Sequence, residues 1–291
     1  MSWTVTSELP HYDRAAGEFV HSDPVRNTVM LTVAARVRHQ GATAFDDSPP
    51  QFGWWTGPDG RVAAVFLRTP PYGILLTALP GTAAADLART YAAIDPALPY
   101  ASGPESAVHA FAAAWQHETG APTIPVRAES LYRLGDLADP EPTTPGAARL
   151  AIRPDRPLLI EWLEEFSRQI NGPQPSHSDR QTDDRLTHGG LSLWHIDGHP
   201  VSLAGTTRRI SGTVRIGPVY TPKPFRGKGF AAAITTYVCQ SELAAGTKEI
   251  LLFADRSNPT ANALYQRIGF HPIDTQTTVR FDTPAMPHLG I

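Results

Sequence analysis

Apolar residues in this chain recur in short blocks, and their spacing switches between the helical and the strand period. A helix is predicted over 23–41 (DPVRNTVMLTVAARVRHQG). The apolar runs of 52–67 (FGWWTGPDGRVAAVFL) predict a hairpin turning at Pro58-Asp59-Gly60. A further strand (YGILLTAL, 72–79) leads to an alanine-rich helix from about Thr82. The order then repeats. A strand over 148–154 (ARLAIRP) precedes a helix with Asp155 as its cap and Pro157 in its first turn. Leu159, Trp162, Leu163, Phe166 and Ile170 share one face of that helix. A second hairpin, 191–207, turns at Asp197-Gly198, and a strand over Val214–Tyr220 follows. Two halves with the same order of elements predict a duplicated α/β unit.

The seam between them is the proline-punctuated, weakly hydrophobic stretch 135–149 (GDLADPEPTTPGAAR). The expected division is a first domain over 1–138, a linker over 139–146 and a second domain over 147–291. A chain of 291 residues exceeds the usual size of one core, which agrees with two domains. Trp54 and Trp55 sit just before the first hairpin turn. Alternation predicts one ring turned inwards and the other facing solvent, the second half or a cleft.

The apolar share of 41%, with 18% charged residues, is that of a globular protein. A formal charge of −3 and the lack of basic clusters argue against a nucleic-acid partner. A single cysteine, Cys239, leaves no internal disulfide and reads as a small buried hydrophobe within a helix. His188, His195 and His271 follow no metal-ligand spacing, so no metal is expected. No basic start with an apolar core opens the sequence, and no apolar run approaches membrane length. The expectation is a cytoplasmic protein, monomer or homodimer, with no membrane partner.

The chemistry concentrates in 219–233 (VYTPKPFRGKGFAAA). Phe230, Ala233, Ile234, Tyr237 and Val238 carry helical spacing, and Gly246 ends the pattern. RGKGF therefore lies at a helix amino terminus, where free N–H groups and the helix dipole favour an anion. Gly227 and Gly229 let the backbone approach it closely, and Arg226 and Lys228 add positive charge. The spacing fits neither a Walker loop nor a dinucleotide fingerprint. Further on, an apolar strand ends near Ala254. Asn258-Pro259 opens a short helix and Gly269 closes it.

Together these two stretches resemble the GCN5-related N-acetyltransferase (GNAT) family. Arg226, Gly229 and Ala231 match its donor signature Q/R-x-x-G-x-G/A, and RIGPVYTP looks like its fourth strand. Asn258, Asn262, Tyr265, Gly269 and Phe270 match its second signature. The resemblance is specific over 191–281 and thinner over 148–190. It implies two tandem acyl-CoA N-acyltransferase domains, each a mixed, mostly antiparallel sheet flanked by helices. The first would be degenerate, since LLTALPGTAAADLARTY carries no basic donor loop.

The resemblance further implies acetyl transfer from acetyl-CoA to an amine by direct attack. The donor pyrophosphate would rest on the N–H groups of Gly227, Lys228, Gly229, Phe230 and Ala231. Its pantetheine arm would run along Val219, Tyr220 and Thr221, where the fourth and fifth strands splay, and Asn258 and Asn262 would support it. Tyr265 would protonate the leaving thiolate. The predicted fourth strand offers no base. Asp255 is the candidate, while Glu161, Glu164 and Glu165 read as the solvated face of a helix. The acceptor would be a small-molecule or peptide amine. The competing expectation is a non-catalytic acyl-CoA-binding regulator.

Overall fold

The computed structural model describes residues 1–45, 47–140, 144–171 and 178–282. The first half of the chain runs β1 (Ser2–Thr6), α1 (Leu9–Ser22), α2 (Thr28–Gln40), β2 (Gln51–Thr56), β3 (Val62–Arg68), β4 (Ile74–Leu76), α3 (Ala83–Ala92), β5 (Tyr100–Pro104), α4 (Glu105–Thr119) and β6 (Thr123–Leu134). The second half runs β7 (Ala147–Leu150), α5 (Arg156–Asn171), α6 (Ser178–Thr187), β8 (Leu191–Ile196), β9 (His199–Thr206), β10 (Thr213–Tyr220), α7 (Phe230–Ala244), β11 (Glu249–Asp255), α8 (Pro259–Arg267) and β12 (Phe270–Phe281). Short 3-10 turns precede α5 and α7. The two halves thus share one order of strands and helices, as the duplication requires.

The compact units do not follow the expected boundaries. Unit one holds Met1–Ser130 together with the stretch from Asp274, and unit two holds Leu131–Ile273. The physical reason lies in the two long strands, β6 and β12, each of which is divided between the units. In unit one, Gln276–Arg280 of β12 pair antiparallel with Tyr100–Pro104 of β5. In unit two, β6 lies beside β11, which would otherwise expose an edge. The segment expected to be a mere linker also carries structure. The Trp194 indole donates to the Pro145 carbonyl at 2.9 Å, and the backbone of Asp136 closes tightly on Gly269. Residues 141–143 of that segment lie outside the described residues.

In unit one the sheet runs β1-β2-β3-β4-β5-β12, antiparallel except for β4 with β5. Its core gathers Trp55, Phe66, Leu87, Tyr91, Phe111, Trp115 and Phe281. Both tryptophans before the first turn are buried: alternation sends them to opposite faces as expected, but the second ring is covered by α1 and does not face solvent. Trp55 enters the core, while Trp54, on the opposite face, meets His11 of α1 edge-on at 5.1 Å. The predicted helix over 23–41 begins at Thr28, and α1 precedes it.

In unit two the order is β6-β11-β10-β9-β8-β7, with β10 and β11 parallel. Helices α7 and α8 cover one face around Tyr132, Ile216, Ile234, Val238, Leu252 and Phe270. Helix α5 covers the other with Leu159, Trp162 and Leu163 against Leu193, Leu203 and Tyr220. Ile170 is 47% exposed and does not extend that stripe. Asp155 precedes α5, but its carboxylate accepts from the Ile152 N–H at 2.8 Å and pairs with Arg149. The Asp197-Gly198 turn has both residues at positive φ, 50° and 79°, as a tight two-residue hairpin requires.

A fragment beginning at Ala147 lacks Tyr132, which is 3% exposed within the α7/α8 core. Removing a buried side chain of that size costs about 3–5 kcal/mol. The fragment 147–291 is therefore expected to lose cooperative thermal unfolding by circular dichroism, whereas a sharp native-like transition would refute this division of the chain.

Candidate active site

Strands β10 and β11 pair in register from Thr213↔Glu249 to Ile216↔Leu252. Both then continue, β10 to Tyr220 and β11 to Asp255, beyond the last registered pair. The change occurs at Gly217-Pro218. Pro218 has no N–H to give, and the register of β10 against β9 shifts between Ile216 and Val219. Past this point β10 is held by β9, through Val219↔Ala204 and Tyr220↔Leu203.

The chain then enters the glycine loop. Gly227 and Gly229 have φ of 73° and 84°, a region that a Cβ penalises. At Gly229 the space is closed as well, since a Cβ would stand 2.6 Å from the Thr144 hydroxyl. Gly229 is the N-cap of α7, and no side chain caps the helix. The first helical bond there joins the Ala233 N–H to the Gly229 carbonyl. The N–H groups of Phe230, Ala231 and Ala232 precede it, as at any helix start.

Phe230 is buried and anchors the turn, and the Ala231 carbonyl accepts from Thr235 at 2.7 Å. Arg226 turns back: Nε donates to the Thr221 carbonyl at 2.9 Å, and Nη2 to Gln169 of α5 at 2.8 Å. Lys228 is exposed, 5.8 Å over the Phe225 ring. A cavity of about 660 Å³ adjoins the loop, lined by Phe225, Lys228 and Phe230 and by His199 and Val201 of β9.

The β11–α8 turn is tied through its asparagines. Asn258 caps α8 by accepting from the Ala261 N–H at 3.0 Å. The Asn262 amide donates to the carbonyls of Asp255 and Asn258 at 2.8 and 2.7 Å, and its oxygen accepts from the Tyr132 hydroxyl at 2.8 Å. Asp255 is exposed, and Oδ1 accepts from the N–H and hydroxyl of Ser257 at 2.8 and 2.7 Å. This carboxylate and Asn262 are thus employed in shaping the turn.

Tyr265 packs against the α7/α8 core, with Phe270 edge-on at 6.1 Å and Tyr132 tilted at 6.5 Å. Burial pushes its phenol up to about 12. Val219 packs against the same core, so both approach β10 from one face of the sheet.

On the other face the solvated-helix expectation fails for one glutamate. Glu161 and Glu164 are exposed, but Glu165 accepts a hydrogen bond from the Tyr220 hydroxyl. Burial first, then this bond, holds the Tyr220 phenol above its ordinary value. The Trp162 ring lies 6.0 Å from that of Tyr220. The signal in the sequence was position: Glu165 lies three residues after Trp162 and one before Phe166, beside the apolar stripe. Tyr132 was missed because it lies in the first half of the chain.

Residues 157–270 match the acetyltransferase (GNAT) family model. N-alpha-acetyltransferase MAK3 of Arabidopsis thaliana is 42% identical over 48 residues, which spans 16% of this chain and 25% of that relative. A GCN5-related N-acetyltransferase from Sphaerobacter thermophilus shares the fold at TM-score 0.61 and 20% identity, covering 98% of this chain and 97% of that one. A tandem GNAT protein from the clavulanic acid biosynthesis pathway does so at TM-score 0.54 and 12% identity, covering 98% and 100%.

In unit one the same order of elements recurs, and β4 and β5 pair in parallel over Ile74↔Ala101 and Leu75↔Ser102. After Leu75↔Ser102, a Cβ on Gly103 would stand 2.5 Å from the Leu76 carbonyl oxygen. At the first position past the last registered pair the backbones are close in unit one, whereas a Cβ on Gly217 of β10 would meet nothing within 4 Å. Cys239 of α7 is buried, and burial pushes its thiol up to about 12. Among the described residues, no three His, Cys, Asp or Glu side chains gather as a metal site, and no helix is long and apolar enough to cross a membrane.

Asn262→Ala removes three hydrogen bonds that shape the β11–α8 turn. It is expected to lower stability by about 1–3 kcal/mol in urea denaturation. An unchanged midpoint would show that the turn holds without them.

Proposed function

We propose that unit two catalyses acetyl transfer from acetyl-CoA to an amine by direct attack within a ternary complex. The observation that carries this reading is the departure of β10 from β11 after Ile216, leading straight into an uncapped helix start flanked by two positive-φ glycines. Beyond Ile216, Val219 and Tyr220 present a strand edge to which a pantetheine amide can add, as an extended peptide adds to a sheet. The N–H groups of Gly227 to Ala231 offer the pyrophosphate its donors. Arg226 contributes by fixing the loop to Thr221 and α5, and Lys228 supplies the free positive charge. Asn258 and Asn262 serve by holding the turn that carries α8.

The Val219 N–H stabilises the negative charge that develops on the thioester oxygen. Tyr265 donates its proton to the sulfur as the C–S bond breaks. A phenol is protonated at neutral pH and so enters the step as a donor; burial, which pushes it up to about 12, makes it the weaker acid, so the proton is given only as the thiolate charge develops. Asp255 holds Ser257 through Oδ1 alone, so its second oxygen is one candidate acceptor for the proton of the amine. Unit one, which carries no basic glycine loop, takes no donor and serves as a degenerate copy. The competing role, an acyl-CoA-binding regulator, keeps the donor site and predicts no turnover with any amine.

Tyr265→Phe keeps the packing and removes the proton donor. It is expected to bind acetyl-CoA normally by calorimetry while kcat falls about 100-fold. Wild-type turnover in that variant would return Tyr265 to a packing role. Gly229→Val imposes both a disfavoured φ and the Thr144 clash. It is expected to weaken donor binding at least tenfold, and unchanged affinity in a folded variant would place the donor elsewhere.

A further inference from the structure

Glu165 belongs to a connected set of side chains on α5. The Tyr220 hydroxyl donates to Glu165, Gln169 hydrogen-bonds the same hydroxyl, and the Gln169 oxygen receives Arg226 of the donor loop at 2.8 Å. Glu165 and Gln169 stand four residues apart, on one helix face. Tyr220 is 4% exposed and its ring is fixed by Trp162, so the carboxylate it meets is held at the end of β10. This end is where β10 has left β11. Tyr265 lies on the α7/α8 face of the sheet, and Glu165 on the α5 face.

Attack on a thioester needs groups on two sides of the carbonyl, one at the arriving nitrogen and one at the departing sulfur. We propose that Glu165 is the group on the nitrogen side: it receives the acceptor as a primary alkylammonium ion and takes its proton. This rests on the acetyltransferase reading above. Glu165 removes one proton, which frees the lone pair. The N–C bond forms as the C–S bond breaks. The second proton shed by nitrogen passes through solvent to the Tyr265 phenolate, replacing the one given to sulfur, and the proton on Glu165 is released to solvent. Tyr220 is a positioning residue, since its hydroxyl points the carboxylate and Gln169 steadies that hydroxyl. Asp255 lies exposed at the end of β11 with Oδ1 on Ser257, and Glu161 and Glu164 face solvent.

The test compares two nucleophiles at neutral pH: propylamine, which is almost wholly an ammonium ion, and methoxyamine, which is a neutral amine. Free CoA thiol is the readout, and calorimetry with acetyl-CoA runs in parallel. Glu165→Gln is expected to bind acetyl-CoA as the wild type does. Its kcat/KM should fall about 100-fold with propylamine, and by less than about fivefold with methoxyamine. Tyr220→Phe should show the same selective loss at smaller size. Equal losses with both amines, or no loss with propylamine, overturn the assignment, because a structural role does not distinguish the protonation state of the acceptor. A wild-type protein that binds acetyl-CoA but consumes neither amine overturns the acetyltransferase reading, and the assignment falls with it. Lack of donor binding by the wild type overturns the donor site instead.

Discussion

Everything in unit two depends on the parting of two parallel strands. A sheet interior leaves no room for a ligand, because each strand's N–H and C=O groups are spent on its neighbours. Here the register between β10 and β11 stops at Ile216↔Leu252, where Gly217 and Pro218 interrupt it. The parted strands lose main-chain partners, and that loss is tolerable because β9 keeps hold of β10 through Val219 and Tyr220. What opens is a strand edge facing β11, with a helix start directly beyond it. The glycine loop supplies a backbone that no residue with a Cβ would adopt without strain.

The rest of the unit holds that opening in shape from both sides. On one face Asn262 collects the carbonyls of Asp255 and Asn258 and the hydroxyl of Tyr132, so α8 and its Tyr265 are fixed relative to β11. On the other, Arg226, Gln169, Tyr220 and Glu165 tie the glycine loop to α5. Several polar side chains singled out as ligand contacts are occupied with one another. Their contribution is geometric, holding the loop and the turn in place.

Much of this was legible in the sequence, for definite reasons. The strand-turn-helix around Arg226 to Ala231 is a local pattern, and so is the cap at Asn258; local patterns need no knowledge of distant partners. The tight turns at Asp59-Gly60 and Asp197-Gly198 announced themselves by residue type. What escaped was non-local. That Leu131–Leu134 belong with unit two, and the stretch from Asp274 with unit one, depends on which strand fills which sheet edge. Glu165 looked like its neighbours Glu161 and Glu164 until Tyr220, 55 residues away in sequence, was seen to reach it. Trp54 was misjudged because α1, which lies over it and buries Tyr12, Ala16 and Val20 at helical spacing, was not read from the sequence.

The central claim is that one unit opens its sheet to the donor and the other does not. Amide hydrogen exchange with and without acetyl-CoA tests this most directly, because it reports on backbone N–H groups in both units at once. The account predicts ligand-dependent protection across Gly217–Ala232 in unit two and none across the equivalent stretch Leu76–Ala83 in unit one. Protection across Leu76–Ala83, or no change across Gly217–Ala232 at saturating donor, would contradict it.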